Sequence, residues 1–263
     1  MSEAAEERWC VLIPCFNEAG AIRAVVESVL ALDAAVIVVD DGSNDGTPDI
    51  VSALPVTLLR NSGRHGKGEA LRRGFREARR QGFTAVLTMD GDGQHLASDI
   101  PQIVAAAARY PEHMVIGARL LEREQQPTAR RRANAVADWG ISWGCGQPVA
   151  DTQSGQRWYP AAALELVDLP AEDFVFEAAI LIAASRDKKL GVVSVPIASR
   201  YHSEFRPSHM KPVRDVTRIV IYTAGRIFHY GDVIASYRRS RATPIVVDAK
   251  PQRHAKTSES VSP

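Results

Sequence analysis

The sequence lacks the features that mark membrane-spanning, disulfide-stabilised and nucleic-acid-binding proteins. Its best apolar stretch, residues 219–225, is flanked by arginine on both sides and falls far short of the roughly 20 residues that a membrane helix needs. The three cysteines, Cys10, Cys15 and Cys145, form no Cys-x-x-Cys pair, which favours a reducing compartment. A net charge of +1 excludes a strong overall field that would attract nucleic acid.

A secretion signal is also missing from the N-terminal residues. Residues 1–8 are acidic and polar and contain no apolar core, so we expect a cytoplasmic protein in which they form an extension ahead of the domain. A length of 263 residues allows one large α/β domain or two small ones.

Short apolar runs alternate with helical patterns over the first half of the chain. The runs at 9–14, 36–39 and 85–89 are almost continuously apolar, which is typical of strands that are buried on both faces. Between them, apolar residues recur at helical spacing, as at 22–30 and 70–78. This alternation predicts an α/β fold with a mostly parallel central sheet that is covered by helices on both faces.

The alternation breaks beyond the fifth predicted strand. An arginine-rich loop is expected to lead into a helix at 131–143, followed by a helix at 174–185, a late strand at 192–196 and a long helix at 213–237. The remaining residues, 238–263, form a polar and basic tail whose composition is typical of disorder.

The long C-terminal helix and the tail behind it leave two interpretations open. With their mixed apolar and basic positions, residues 213–256 could rest on an anionic membrane surface as a peripheral contact. Alternatively, the helix packs against the domain and the tail is solvated. Salt-sensitive binding to anionic vesicles separates the two.

An acidic turn, Asp-Gly-Asp-Gly-Gln-His at 90–95, follows the strand predicted at 85–89. In an open α/β sheet, ligands bind at this carboxyl edge of the strands. The carboxylates of Asp90 and Asp92 are one residue apart and can reach the same hard cation, and Gly91 lets a ligand approach the backbone closely. The turn therefore predicts a site for a divalent metal that in turn holds a diphosphate. An isolated Asp-x-Asp triplet is more often a polar turn that only caps the next helix.

Two further polar clusters occupy comparable positions. Asp40 and Asp41 follow the second predicted strand, where a carboxylate can accept hydrogen bonds from a ribose or a base, or can cap the next helix. Lys67 lies between two glycines at a predicted helix start, where free N–H groups and the helix dipole favour an anion. A flexible loop with a solvated lysine is an equal alternative for this segment. The clusters that directly follow strands, and so should converge at one edge of the sheet, are 16–18, 40–45 and 90–95.

Five motifs in this order resemble a known family. They are VLIPCFNE at 11–18, VVDDGSNDGT at 38–47, GKGEA at 66–70, MDGDGQH at 89–95 and DTQSG at 151–155. The combination resembles the inverting family 2 glycosyltransferases of GT-A fold, above all the polyprenyl-phosphate (dolichyl-phosphate) mannose and glucose synthase branch. The resemblance covers residues 10–218.

The resemblance implies a nucleotide-sugar pocket on the donor side. Asp40 would contact the base or the ribose, and Asp90 and Asp92, together with Gln94, would hold Mg²⁺ or Mn²⁺ on the diphosphate. The residues expected to bind the nucleotide sugar are Pro14, Phe16, Glu18, Asp40, Asp41, Lys67, Asp90, Gly91 and Asp92.

On the acceptor side, the resemblance implies three candidate catalytic residues: Asp92, Arg119 and Asp151. Arg119 matches the Gly-x-Arg that follows the fifth strand in the family and would face phosphate. Asp151 lies at the position of a proposed catalytic carboxylate. The implied glycosyltransferase domain spans 9–237, with a nucleotide-binding half at 9–118 and an acceptor half at 119–237.

The implied reaction moves a sugar from a nucleotide-diphosphate sugar, with inversion, to a polyprenyl phosphate or to a hydroxyl of a lipid or glycan. A phosphate acceptor is already ionised near neutral pH, whereas a hydroxyl acceptor needs a general base, for which Asp151 is the candidate. Two alternatives remain: a non-catalytic sugar-nucleotide-binding module and a sugar nucleotidyltransferase. The latter would need a glycine-rich, arginine-containing loop after the first strand, and residues 15–20 do not provide one.

Overall fold

The first half of the protein builds four neighbouring strands of one sheet. The computed structural model describes residues 8–121, 128–198 and 212–248. Within those ranges, the strands are β1 (Trp9–Cys15), β2 (Ala35–Asp40), β3 (Thr57–Arg60), β4 (Ala85–Thr88), β5 (His113–Ala118), β6 (Arg157–Tyr159), β7 (Gly191–Pro196) and β8 (Ile245–Val246). They form a sheet in the order β3-β2-β1-β4-β6-β5-β7-β8. All neighbours pair parallel except β6, which is antiparallel to both β4 and β5. The predicted α/β fold with a mostly parallel sheet is confirmed.

The helices of the described ranges connect and cover these strands. They are α1 (Ile22–Leu30), α2 (Thr47–Ser52), α3 (Lys67–Arg80), α4 (Ile100–Arg109), α5 (Thr128–Cys145), α6 (Ala161–Leu164), α7 (Val175–Arg186), α8 (Pro212–Tyr230) and α9 (Val233–Ser240), with one 3₁₀ turn at Ala97–Asp99. No helix in these ranges is both long enough and apolar enough to cross a bilayer.

Alternate residues of each central strand supply two apolar cores, one on each face of the sheet. In β1, Leu12 packs with α3, α5 and α7, whereas Val11 packs with α1 and α4 on the other face. The α3 side holds an aromatic cluster, in which the ring of Phe75 lies 5.0 Å from Tyr159 and 6.3 Å from Phe176. Such tilted aromatic pairs stabilise a core beyond the area that they bury. Both faces of the sheet are therefore covered, as predicted, and the polar ends of the strands meet at one edge.

Three local predictions differ from the structure. The single helix predicted at 213–237 is two helices, because the chain breaks at Gly231, which adopts φ +76°, a conformation that favours glycine after a helix end. The tail predicted from residue 238 begins too early, since α9 continues to Ser240 and β8 pairs with β7 through Val193 and Ile245. The helix predicted at 131–143 already begins at Thr128. Residues 1–7 and 249–263 lie outside the described ranges, and the division into two halves stays a prediction.

Candidate active site

A cleft of about 590 Å³ opens at the carboxyl edge of β1, β2 and β4, next to the start of α3 and one face of α7. The predicted site residues that line it are Pro14, Phe16, Glu18, Asp41, Lys67, Asp90, Gly91, Asp92, Gln94 and Arg119. The predicted convergence of the three polar clusters is therefore confirmed. Two predicted residues, Asp40 and Asp151, are not among the lining residues.

Lys67 lies at the centre of the charged groups in the cleft. Its Nζ is 2.7 Å from Oδ1 of Asp90 and 3.3 Å from Oε2 of Glu177. Burial alone would lower the pKa of Lys67, but the two carboxylates raise it above its ordinary value. Burial would likewise raise the pKa of Asp90, and Lys67 lowers it instead. The lysine is therefore positively charged and Asp90 negatively charged at neutral pH.

The pKa of Asp92 is shifted in the opposite direction from that of Asp90. Burial and the charge of Asp90 raise the pKa of its carboxyl group, although the backbone N–H of Gln94 opposes this shift. The Gln94 N–H donates to Oδ1 of Asp92 at 3.0 Å, and the Gln94 side-chain amide donates to Oδ2 at 2.9 Å. Two close carboxylates raise the pKa of one another in the absence of a cation, so an added positive charge would stabilise both.

His95 is a buried neighbour of this acidic pair. Its Nδ1 accepts a hydrogen bond of 3.4 Å from the Asp90 backbone N–H. Burial lowers the pKa of the imidazole, despite the nearby carboxylates. His95 is therefore neutral at pH 7, and its bond to the Asp90 backbone helps to hold the turn.

The donor atoms of the turn fit a hard divalent cation. Asp90, Asp92 and Gln94 offer carboxylate and amide oxygens, which Mg²⁺ and Mn²⁺ accept. Among the described residues, no group of three or more His, Cys, Asp or Glu side chains could hold a metal by itself. A cation at this turn would complete its shell with water or with oxygens of a bound molecule, and diphosphate oxygens are of the right kind.

The adjacent acids Asp40 and Asp41 have different surroundings. Asp40 is fully buried and accepts a hydrogen bond from the Ser43 backbone N–H at 3.2 Å. Asp41 lines the cleft and accepts hydrogen bonds from the Asn61 side chain at 2.8 Å and from the backbone N–H groups of His65 and Gly66 at 3.0 and 2.7 Å. The carboxylate of Asp41 thereby holds the loop that leads into α3.

The loop after β1 forms another wall of the cleft. The guanidinium of Arg64 stacks over the ring of Phe16 at 4.4 Å. The backbone N–H of Glu18 donates to Thr47 Oγ1 at 2.8 Å, which fixes this loop against the start of α2. The pair presents flat aromatic and guanidinium groups at the cleft, and a planar ligand could stack on them.

Arg119 and Asp151 form a bidentate ion pair at the opposite wall. Nε and Nη2 of Arg119 donate to the two carboxylate oxygens at 2.8 and 2.7 Å, and the Arg119 backbone N–H adds a third bond of 2.8 Å. Burial alone would raise the pKa of Asp151, but the bonds and charge of Arg119 lower it below its ordinary value. Asp151 is therefore ionised and committed to Arg119, whose side chain lines the cleft.

Sequence reasoning assigned no role to three residues that define this site. Glu177 holds Lys67, and Asp173 packs against Gly66 where a Cβ would overlap it. Arg157 is buried, and its guanidinium donates to the backbone carbonyls of Ser154, Thr152 and Glu177 at 2.6, 2.6 and 3.0 Å;. The available signal was that Glu177 interrupts an apolar run, which rarely happens without a partner.

Comparison with known proteins identifies the family. The model of glycosyl transferase family 2 matches residues 10–159, more than half of the chain. A UDP-N-acetylglucosamine–dolichyl-phosphate N-acetylglucosaminyltransferase from Methanococcus voltae is 27% identical over 214 residues, which cover 73% of this chain and 85% of the relative. An undecaprenyl-phosphate mannosyltransferase from Micrococcus luteus is 27% identical over 203 residues, which cover 72% and 82%.

A solved structure agrees with the fold. Glucosyl-3-phosphoglycerate synthase from Mycobacterium tuberculosis, crystallised with Mn²⁺, uridine diphosphate and phosphoglyceric acid, matches with a TM-score of 0.63 and 25% identity. The match covers 84% of this chain and 79% of that one. These findings favour glycosyl transfer over the two alternatives, nucleotidyl transfer and non-catalytic binding. The chain belongs to glycosyl transferase family 2 and is a glycosyltransferase with the GT-A fold.

Proposed function

We propose that this glycosyltransferase moves a sugar from a nucleotide-diphosphate sugar to the phosphate of a polyprenyl lipid, with inversion and with Mg²⁺ or Mn²⁺. The observation that carries the proposal is the ion pair of Arg119 with Asp151. A guanidinium beside the cleft suits a phosphate acceptor. A carboxylate that accepts three bonds from Arg119 and has a lowered pKa is poorly suited to take a proton from a hydroxyl.

The acceptor side then needs positioning rather than proton removal. A lipid phosphate is ionised near neutral pH, and Arg119 would hold it next to the donor sugar. An acceptor oxygen forms a bond to the anomeric carbon as the bond from that carbon to the diphosphate breaks, and the nucleoside diphosphate departs with the electron pair. Attack from the face opposite the leaving group inverts the anomeric configuration.

On the donor side, Asp90, Asp92 and Gln94 would hold the cation, which neutralises charge on the departing diphosphate when it is bound. Lys67, at the first position of α3, adds a positive charge to the free N–H groups of that helix end. Phe16 lines the same cleft and would border the nucleoside. The Mycobacterium tuberculosis synthase with Mn²⁺ and uridine diphosphate supports this use of the fold.

A hydroxyl acceptor that carries its own phosphate is the second candidate. It is favoured by the phosphoglyceric acid in that same solved structure, because Arg119 could serve a phosphate on either kind of acceptor. In this case Asp151 would have to act as the general base. The relatives named for dolichyl and undecaprenyl phosphate favour the lipid acceptor.

We also propose that the C-terminal helices contact an anionic membrane surface. Large apolar side chains are exposed on α5, α8 and α9: Val136, Trp139, Val216, Val220, Ile221, Phe228, Ile234 and Tyr237. Exposed Arg238, Arg239 and Arg241 follow at the end of α9. Apolar side chains beside basic ones are the combination that anionic lipid surfaces bind. Sedimentation with phosphatidylglycerol vesicles should recover the protein at low salt, and failure to sediment at any salt concentration would overturn this part of the proposal.

Transfer assays with matched acceptors test the reaction. UDP-glucose, GDP-mannose and UDP-N-acetylglucosamine are each supplied with Mn²⁺ and with polyprenyl phosphate, the corresponding free polyprenol or phosphoglyceric acid. We expect one donor to give a sugar phosphodiester with polyprenyl phosphate, and NMR of the product to reveal an inverted anomeric carbon. Transfer to phosphoglyceric acid alone would select the second candidate. Activity that survives both EDTA and Asp92→Asn would remove the cation from the proposal.

A further inference from the structure

Glu177 is an acidic side chain in a helix that is otherwise built for the core. Ten residues of α7 are buried, and the side chain of Glu177 itself is only 14% exposed. An ionised carboxylate in such surroundings is unfavourable unless a positive group compensates it. Its neighbours on the helix, Phe176 and Ala178, pack in the apolar core. The carboxylate therefore needs an explanation other than packing, and its partner, Lys67, points to one.

Lys67 is shared between two acids that come from different parts of the fold. Asp90 belongs to the turn after β4, and Glu177 approaches from α7 on the other side of the ammonium. Asp92 lies in the same turn as Asp90, and the charge of Arg119 is matched by Asp151. Buried Arg157 also lines this cleft, but its guanidinium donates to backbone carbonyls.

A divalent cation at the Asp-x-Asp turn would be attracted by Asp90 and Asp92, but Lys67 already binds Oδ1 of Asp90. An ammonium and a cation cannot both bind one carboxylate oxygen without repulsion. If Lys67 had Asp90 as its sole partner, cation binding would require it to give up its only ion pair inside the cleft. The second carboxylate, 3.3 Å away, removes this conflict.

We propose that Glu177 is a positioning residue that retains Lys67 when Asp90 binds a divalent cation. Lys67 then gives up its bond to Asp90, keeps its ion pair with Glu177 and remains in the cleft, where it would face the donor diphosphate. This inference rests on the proposed function, because it assumes a cation and a diphosphate at this site. It assigns a role to Glu177 that depends entirely on Lys67.

An effect that requires Lys67 distinguishes a positioning role of Glu177 from an effect of its own charge or packing. In Glu177→Gln, Lys67 stays on Asp90 alone, and we expect Mn²⁺ with UDP or GDP to bind about tenfold more weakly. In a Lys67→Met background there is no ammonium to relocate, so the same substitution should change affinity by less than about twofold. If Glu177 acted only through its own negative charge or through packing, the loss would be undiminished without Lys67.

Calorimetric titration of Mn²⁺ with UDP, and in parallel with GDP, measures all four proteins of this cycle. Glu172→Gln is the matched control, because Glu172 lies just before α7, is 79% exposed and pairs with Arg218 at the surface. We expect this control to bind like the wild type. Circular dichroism establishes that each variant is folded, and Glu177→Asp, which keeps the charge but shortens the side chain, repeats the comparison if Glu177→Gln is unfolded.

The outcomes distinguish this inference from the proposed function. If the wild type binds neither nucleotide with Mn²⁺, the proposed function fails and this inference fails with it. If the wild type binds one of them and the loss on Glu177→Gln is the same with and without Lys67, the proposed function stands and this inference alone is overturned. A loss that depends on Lys67 supports both.

Discussion

Arg119 donates three hydrogen bonds to the carboxylate of Asp151, two from its guanidinium and one from its backbone N–H. Arg119 directly follows β5 and Asp151 lies in the turn before β6, so the pair joins two segments that are distant in the chain. Asp151 adopts the left-handed conformation, with φ +52°, which is uncommon for a residue other than glycine. The pair therefore fixes both the arginine and the turn.

Asp151→Asn should impair transfer through the loss of Arg119 positioning rather than the loss of a base. Because Arg119 holds the pKa of Asp151 below its ordinary value, this carboxyl is ionised at neutral pH. We expect kcat/KM for the acceptor to fall by about tenfold or more, with the shape of its pH profile unchanged. Steady-state kinetics from acidic to alkaline pH measures both kcat/KM for the acceptor and the shape of its pH profile.

A double variant provides the control for that prediction. In an Arg119→Ala background, Asp151→Asn should have little further effect on kcat/KM, because the arginine that it positions is already gone. A pH profile that loses its acidic limb only when Asp151 is replaced would instead assign proton removal to Asp151.

Gly66→Ala should weaken donor binding and destabilise the fold. Gly66 adopts φ +94°, and a Cβ there would overlap the carboxylate of Asp173. We expect a loss of about 1–3 kcal/mol in the free energy of unfolding, together with weaker nucleotide binding, measured by denaturant titration and calorimetry. Gly63→Ala in the same loop is the matched control, since its Cβ would meet no atom within 4 Å, and it should behave like the wild type.

Replacement of Arg157 should loosen the turn that carries Asp151. The guanidinium satisfies three backbone carbonyls from two segments, and a lysine cannot reproduce this fork. We expect Arg157→Lys to lower the free energy of unfolding by ~2 kcal/mol, as measured by urea titration. Arg80→Lys, at an exposed arginine that pairs with Glu77, is the control and should leave the free energy of unfolding almost unchanged.

Asp99 should make stability decrease as the pH rises. Burial raises the pKa of this carboxyl to about 6, although a bond from Gln102 opposes the shift, and its Oδ2 has no hydrogen-bond partner. Between the unfolded pKa of about 4 and the folded value, the folded state binds the extra proton, so the free energy of unfolding falls with pH across that window. Above the folded pKa, the stabilisation that the proton on Asp99 provides is lost completely.

Asp99→Asn removes this ionisation and should stabilise the protein at pH 7 by about 1–2 kcal/mol, with no gain near pH 4. Urea titrations at the two pH values measure the difference. Asp33→Asn is the control, because Asp33 is exposed and asparagine tolerates its positive φ. An equal gain for Asp99→Asn at both pH values would contradict the assignment.

Local pattern was sufficient to predict the sheet and the position of the cleft. Apolar runs such as β1 and β2 are buried on both faces, and the carboxyl ends of parallel strands necessarily share one edge. The break at Gly231 could also have been predicted, since glycine after a helical run is a typical helix end.

Strand β6, the Lys67–Glu177 ion pair and the role of Asp151 could not be predicted, because each depends on contacts between segments that are distant in the chain. β6 is only three residues long and contains buried Arg157, so no periodicity marks it as a strand. The partnership of Lys67 with Glu177 arises because α7 packs beside α3 on one face of the sheet. Likewise, only the folded structure reveals that Asp151 is occupied by Arg119, because a carboxylate that acts as a base and one that positions an arginine look identical in sequence.

The antiparallel strand β6 has a consequence for the order in which the molecule is assembled. Strands β1 to β4 are contiguous in the chain and can pair early, whereas β6 must insert between β4 and β5 from far downstream. Closure of such a long loop is entropically slow. Asp90 is therefore placed long before Asp151 and Glu177 arrive. A nascent chain that ends just after the acidic turn carries Asp90 without Asp151 or Glu177, so the complete site can form only after β6 and α7 have been synthesised.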